Sequence, residues 1–552
     1  MDLYVANERL AELEAALGEG GAEAAVELAW HLRQRDSARA LMLMTDAVLE
    51  DQPDLQLRVA LTRAEIFALR CQLDAAEVQL AEARGLLLAR AGTNPLAEGD
   101  ALLTEAAVAK ARGQRERELE AYARSAAFFA TQKDARRSAI AQAWATYENA
   151  FGVPEAGDDE SFATTADPAC AALLSAARGL TQSRRDPARA ADLFLQAGEQ
   201  ARELGLLRHA IVCTMNAGTA LQGLGDFDRA AACYQSATSL ARETGWPAVI
   251  GAAQTRLGAF LQELGLLEES RQLLTAALDI LAVAPAGINK ANACCALAMT
   301  LLLMGRGIEA VGPMAEGLRM YREAQSTDNL ATNLIGAARV LSAAGRPDAA
   351  LETLDEAQDL IERHSLSALV VGVYEALAEI HQRHADLPDL HQPNAALHYA
   401  EATLAEGLKM AGWKAPAALF VQLAEAWAGA GDMARAYEFA RKALTAKDQE
   451  TAHKLSHPLA LLRLRGEGSE AAAATLSLDA PQPPTRLLTP KEHEVLQLLA
   501  RNYTNKEIAT ALEMGEETVK WHLKKIFSKL EAGSRRHAVT RAKTLGVISF
   551  SS

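Results

Sequence analysis

Residues 216–238 read NAGTALQGLGDFDRAAACYQSAT. The same design returns without gaps at 256–278 (RLGAFLQELGLLEESRQLLTAAL), 296–318 (ALAMTLLLMGRGIEAVGPMAEGL) and 336–358 (GAARVLSAAGRPDAALETLDEAQ). Gly225, Gly265, Gly305 and Gly345 keep one register, each 40 residues after the last. Five residues past each glycine stands a small residue: Ala230, Ser270, Ala310 or Ala350. Nine past it stands a large one (Tyr234, Leu274, Met314, Leu354), and twelve past it another small one (Ala237, Ala277, Gly317, Ala357). Apolar residues recur at three and four spacing on both sides of the glycine, so each copy predicts two amphipathic helices. The glycine supplies the positive φ that ends the first helix. Small positions let helices approach, and large ones fill the grooves between them. A single hairpin cannot bury its apolar face alone, so the copies must stack into a solenoid.

The pattern extends both ways. Ala190, Phe194 and Ala197 fall one period upstream. Ala395, Tyr399 and Ala402 follow after a five-residue lengthening, then Ala436, Ala440 and Ala443 with Gly431 as turn. Weaker copies stand at Ala40–Met44–Ala47, at Ala76–Leu80–Ala83 and near Tyr122. About ten hairpins are expected between residues 22 and 450. The stretch 151–168 breaks the pattern and reads as an irregular loop between sub-arrays. Composition agrees: half of the 552 residues are hydrophobic but only 5% aromatic, and about a fifth are Ala, which favours helix over sheet. The small–large–small signature resembles the tetratricopeptide repeat, here lengthened. That resemblance implies a concave surface able to take a peptide, a protein or a small ligand.

Residues 466–486 are rich in Gly, Ala and Pro and read as a linker, which divides the chain into a repeat domain (1–465) and a C-terminal domain (487–552). The latter parses into four short helices. Thr489, Thr504 and Ser534 cap the first, second and fourth, with Glu492 and Glu507 closing capping boxes, and Gly515 is a weaker cap for the third. Val495, Leu496, Leu499, Ile508, Leu512, Val519, Leu523, Ile526, Leu530 and Val539 supply a small core at helical spacing. The short turn Glu513–Gly515 makes a helix-turn-helix. The whole chain has formal charge −15, which by itself argues against nucleic acid. From Thr485 onward, however, there are 12 Lys and Arg against 7 Glu and no Asp, net +5, so the rest of the chain carries −20. Lys520, Lys524 and Lys525 cluster on the third helix, whose width fits a DNA major groove.

The segment 487–548 resembles the LuxR-type (GerE/NarL-type) DNA-binding domain. The residues that carry this are Leu488 to Leu496 (LTPKEHEVL), Asn505 to Ala509 (NKEIA), Thr518 to His522 (TVKWH) and Lys529–Leu530. The resemblance implies that Lys520, Trp521 and Lys524 face base edges, that Lys506, Thr518, His522 and Arg536 contact or neighbour the DNA backbone, and that the fourth helix dimerises. Lys525 extends the basic face. Asn502 and Gly515 replace a usual Gly and Ser, and Ala532 stands where an apolar residue is common. The combination is similar to the large MalT-type regulators, but no GxxxxGK[ST] is present, so ATP-driven control is not expected.

The sequence therefore predicts an all-α chain, a helical-repeat sensor joined to a helix-turn-helix. Its function would be sequence-specific regulation of transcription, more as activator than repressor, by a homodimer on double-stranded DNA, with RNA polymerase a partner by resemblance. The competing reading is a protein-binding adaptor whose helix-turn-helix does not bind DNA. No nucleophile–base constellation, cofactor loop or metal motif suggests an enzyme or a cofactor. The acidic first residues do not read as a signal peptide, and no run of 18 apolar residues could span a membrane, so a cytoplasmic protein is expected. The vicinal Cys294–Cys295 reads as core rather than redox sensor. Asn216, Arg256, Asn292 and Arg339, on or near the first helices, are candidates for clamping an effector such as a peptide, though a solvated polar face is the simpler reading. His381, His384, His391 and His398 could be a metal site, but irregular spacing favours a surface loop. Trp246 and Trp413 read as packing residues.

Overall fold

The structure, a computed structural model, describes residues 2–455 apart from 18–20, 46–51, 90–94, 152–166, 184, 385, 389–390, 392 and 411–412. In the C-terminal part it describes 495–496, 498–499, 505–512, 514–529 and 535. The chain separates into two units, Met1–Leu476 and Ser477–Ser552. Among the described residues there is no strand, and no helix is long and apolar enough to cross a membrane.

The first unit opens with α1 (Asn7–Ala16). Hairpins α2–α3 (Gly21–Leu32, Ser37–Thr45), α4–α5 (Pro53–Leu69, Leu73–Ala89) and α6–α7 (Ala97–Ala111, Arg115–Thr131) follow, then a single helix α8 (Ala135–Asn149). Next come α9–α10 (Pro168–Gln182, Pro187–Glu203), α11–α12 (Leu207–Gly223, Phe227–Thr244), α13–α14 (Pro247–Glu263, Leu267–Leu281) and α15–α16 (Ile288–Leu303, Gly307–Glu323). The array continues with α17–α18 (Thr327–Ala343, Pro347–Arg363), α19–α20 (Val370–Arg383, Ala395–Gly407) and α21–α22 (Ala417–Gly429, Met433–Leu455). These make ten hairpins among the described residues. The loop expected at 151–168 falls mostly outside them.

The expected turn glycines are left-handed: Gly225, Gly265, Gly305 and Gly345 have φ between 75° and 80°. Each closes a two-bond cap. The Gly225 N–H donates to the Gln222 carbonyl, and the Asp226 N–H reaches back to the Leu221 carbonyl at 3.0 Å; these are the 5→2 and 6→1 bonds that satisfy a helix's last carbonyls. The Asp226 side chain then accepts from the Arg229 N–H and starts the second helix. Asp134 and Asp432 cap α8 and α22 in the same way. The same cap also joins one hairpin to the next at the left-handed residues Gly205, Gln325 and Ser365, while after left-handed Gly245 the Trp246 N–H donates to Thr244 Oγ1 instead. Left-handed residues thus fall every 20 residues from 205 to 265 and again from 305 to 365. Nothing lies within 4 Å of a Cβ built on Gly265, so the backbone alone demands glycine there. Gly265→Val is expected to cost about 2 kcal/mol through the left-handed penalty on a β-branched residue, read as a shift of the urea midpoint. Gln325→Gly, at φ 51°, should cost nothing.

The small and large slots fill as expected. Ala230, Tyr234, Ala237, Ser270, Leu274, Ala277, Ala310, Met314, Ala350, Leu354 and Ala357 are all buried. Gly317 shows why the slot must be small: a Cβ there would stand 2.4 Å from Cys295 Sγ. That sulfur is core, and burial raises the Cys294 thiol to about 11 and the Cys295 thiol to about 12, far from thiolate reactivity. In α7 the first small slot holds Glu118 instead, buried with its carboxylate on Lys110 Nζ. In α22 the large slot holds Ala440, which is exposed.

First helices of successive hairpins lie side by side, α4 against α6, α13 against α15, α17 against α19. Polar bridges recur between them: Gln222 to Glu263, Thr300 to Gln262, Ser342 to His384, Gln382 to Glu425. In the first sub-array the bridges are buried ion pairs: Arg33 with Glu65, Asp100 with both Arg58 and Arg137, and Lys110 with Glu148. His209 of α11 packs edge-on against Tyr147 and Trp144. Burial lowers its pKa to about 4 despite the Glu148 carboxylate. The free imidazole titrates near 6.5. The unfolded chain therefore takes up a proton first as pH falls, so the stability His209 contributes is present above about 6.5 and is lost between 6.5 and 4. At pH 5 the loss is expected to be about 2 kcal/mol; His209→Gln should remove that part of the pH profile in urea titrations.

Candidate nucleic-acid interface

In the second unit two helices meet at a tight turn, α23 (Asn505–Ala511) and α24 (Glu516–Lys529). The Leu512 N–H donates to the Ile508 carbonyl and the Met514 N–H to the Ala509 carbonyl, and the Gly515 carbonyl accepts from Val519 to open α24. Val495, Leu496 and Leu499 from the preceding helical residues bury against Ile508, Ala509, Val519, Leu523 and Ile526. The other expected core residues, Leu530 and Val539, and the caps Thr489, Thr504 and Ser534 lie outside the described residues.

Burial of Val519, Leu523 and Ile526 fixes how α24 is rotated. It leaves Lys520, Lys524 and Lys525 exposed, and Lys506 is exposed on α23. Lys520 and Lys524 are one helical turn apart, so they stack along one face. A shallow depression of about 340 Å³ lies beside them, lined by Asn505, Lys520, Leu523, Lys524 and Arg535. The Arg535 Nη1 donates to Asn505 Oδ1 at 2.7 Å. His522 is half-buried on α24. Thr518 and Trp521 sit on the same helix three residues apart, while Arg536 lies outside the described residues. The resemblance points to Arg536, whereas its neighbour Arg535, which the family motif does not single out, lines the depression and holds Asn505. An exposed row of ammonium groups on a helix held by its opposite face can meet phosphates or guanine acceptors.

Residues 486–542 match the model of the bacterial regulatory proteins of the luxR family. The C-terminal segment is a LuxR-family domain. The LuxR-family domain is 46% identical over 61 residues to the transcriptional regulator AlkS of Alcanivorax borkumensis, which covers 11% of this chain and 7% of that protein. It is 44% identical over 62 residues to the transcriptional regulatory protein ComA of Bacillus subtilis, 11% of this chain and 29% of that one. A third relative, the quorum sensing-dependent regulator RpaR of Rhodopseudomonas palustris, is 45% identical over 73 residues, 13% and 30% of the two chains. The matched segment thus spans less than a third of each relative. Residues 215–244, just where the four gapless copies begin, match the tetratricopeptide repeat. Among solved structures, the Cut9–Hcn1 hetero-tetramer of the APC/C overlaps 86% of this chain and 90% of that one, at 12% identity and TM-score 0.43. The Rap conjugation gene regulator of plasmid pLS20 overlaps 72% and 96%, at 12% identity and TM-score 0.40.

The four effector candidates lie on first helices, Asn216 on α11, Arg256 on α13, Asn292 on α15 and Arg339 on α17, but differ in state. Arg256 is exposed and Asn216 half-buried. Asn292 Oδ1 accepts from the Tyr321 hydroxyl at 2.5 Å. Arg339 is held by two carboxylates, Glu375 at 2.7 Å and Glu379 at 3.3 Å. The histidine cluster forms an aromatic stack: His391 on His398 at 4.4 Å between ring centres, with both and His381 around Tyr399. His384 instead turns to Ser342. Among the described residues no group of three metal-donor side chains converges. Trp246 is buried and donates to Ser37 Oγ, and Trp413 packs over Gly407.

Proposed function

We propose that this protein is a DNA-binding transcriptional regulator whose repeat domain (1–465) senses a ligand or partner and whose LuxR-family domain (487–552), joined to it through 466–486, reads DNA. The observation that carries the reading is the exposed Lys520–Lys524–Lys525 face of α24, set by the burial of Val519, Leu523 and Ile526 in a helix-turn-helix. Lys520, Trp521 and Lys524 face base edges, and Lys506, Thr518, His522, Lys525 and Arg536 hold the phosphates. Two copies bind a two-fold site with one recognition helix per half-site, and activation through contact with RNA polymerase follows the family pattern. The effector is met by Asn216, Arg256, Asn292 and Arg339 on the sensor's first helices, with the exposed Arg256 best placed for it.

The test is sequencing of DNA retained by the full chain at about 0.15 M salt, where phosphate contacts alone are weak. Recovery of a shared two-fold motif supports regulation. Retention of no DNA above background at that salt favours the adaptor reading.

A further inference from the structure

The segment Asp2–Ala6, just before α1, is not helical, yet it is deeply engaged. Leu3 is 2% and Val5 7% exposed. Its carbonyls are taken by side chains of the solenoid: Trp30 Nε1 donates to Asp2 O at 3.0 Å, Arg33 Nη2 to Leu3 O at 3.4 Å and Arg35 Nη2 to Val5 O at 2.5 Å. The Asp2 carboxylate pairs with Arg136 of α8 at 2.9 Å. The Tyr4 hydroxyl accepts from Trp144 Nε1 at 3.2 Å, and the Arg33 guanidinium lies over the Tyr4 ring.

Two of these donors are anchored from outside the segment. Arg33 is fixed by Glu65 at 2.7 Å and by the Trp30 carbonyl, and Arg136 by Asp167. Side-chain donors on the carbonyls of Asp2, Leu3 and Val5, with Leu3 and Val5 buried on either side of an engaged Tyr4, hold a short non-helical peptide by its backbone and its side chains together. The seat is also not fully used. Arg58 stacks on the Trp30 ring and bonds Asp100 through Nη2, while its Nη1 is buried with no hydrogen-bond partner. The segment also links distant parts of the solenoid, because Arg35, which holds Val5 and Asn7, donates to the Glu203 carbonyl at the end of α10.

We propose that the surface formed by Trp30, Arg33 and Arg35, with Arg136 and Trp144 of α8, is a site for a short non-helical peptide of the pattern acidic–Leu–aromatic–β-branched, and that Asp2–Ala6 occupies it in cis. A peptide of that pattern in trans competes for the same carbonyl donors. This deepens the sensor reading by naming the effector class; the binding is measured without DNA, so its failure and a failure to bind DNA are separate results.

The probe is a fluorescein-labelled peptide of residues 2–6, Asp-Leu-Tyr-Val-Ala, titrated with full chain and followed by anisotropy. A chain carrying Leu3→Ser, Tyr4→Ser and Val5→Ser should bind it at least tenfold tighter than the wild-type chain. Arg136→Ala or Trp144→Phe in that background should weaken binding several-fold, and a peptide with Asp at the Leu and Tyr positions should not bind. A triple variant with the wild-type circular dichroism that binds the probe no better than wild type overturns the proposal. If that variant does not fold, a fluorophore on Asp2→Cys in the otherwise wild-type chain reports displacement. A saturable signal with unlabelled peptide supports the proposal, and none up to millimolar peptide overturns it.

Discussion

Lys520→Glu combined with Lys524→Glu is expected to lower the affinity of the full chain for its DNA site by about 100-fold or more. A base-edge or phosphate contact of this kind carries roughly 1–3 kcal/mol, and 1.4 kcal/mol is a factor of ten. Reversal adds repulsion to the lost contact. Both side chains are exposed on α24, and Glu is as good a helix former as Lys, so the Val519–Leu523–Ile526 core should be undisturbed. Lys409→Glu with Lys447→Glu makes the same change in net charge on exposed residues of the repeat domain and serves as control. The recognition-helix pair should also flatten the plot of log affinity against log salt, by about 0.9 for each phosphate contact removed. Equal losses in the two pairs would mean a general field rather than an interface, and unchanged binding by the Lys520 pair would leave the adaptor reading standing.

The repeat was legible because it obeys a strict local grammar. A left-handed glycine and a small–large–small triplet recur at fixed spacing, and each has one physical cause. The inter-hairpin caps were harder to see because the left-handed residue there is sometimes Gln325 or Ser365, which carries no compositional mark. The recognition helix was legible for a similar reason: apolar spacing sets its buried face, and the lysines fall on the other. What the sequence did not disclose was long-range and polar. Nothing local in Asp2–Ala6 says that its carbonyls will meet Trp30, Arg33 and Arg35. Nothing in Arg339 says that Glu375 and Glu379 will neutralise it. Ion pairs between successive first helices join residues 32 to 42 apart, a separation at which charge pattern carries no periodic signal.

Removing one such partner is the second large effect. Asp100 of α6 is fully buried, with Oδ2 on Arg58 at 2.8 Å and Oδ1 on Arg137. Asp100→Ala leaves two buried guanidiniums facing each other without a counter-charge, and the loss of one partner from such a site costs about 3–5 kcal/mol. In a solenoid each repeat is stabilised mainly by its neighbours, so the damage should stay local to α4, α6 and α8. Urea unfolding followed by tryptophan emission, to which Trp30 and Trp144 in this region contribute, should shift to markedly lower denaturant. Circular dichroism of the whole chain should then show a separate, earlier step instead of one displaced transition. Asp100→Asn keeps an acceptor for one arginine but not the charge, and should fall between wild type and alanine. A single cooperative transition with the wild-type midpoint in Asp100→Ala would mean that water or a shifted side chain replaces the carboxylate. The buried arginines of the first sub-array would then not be what holds its first helices together.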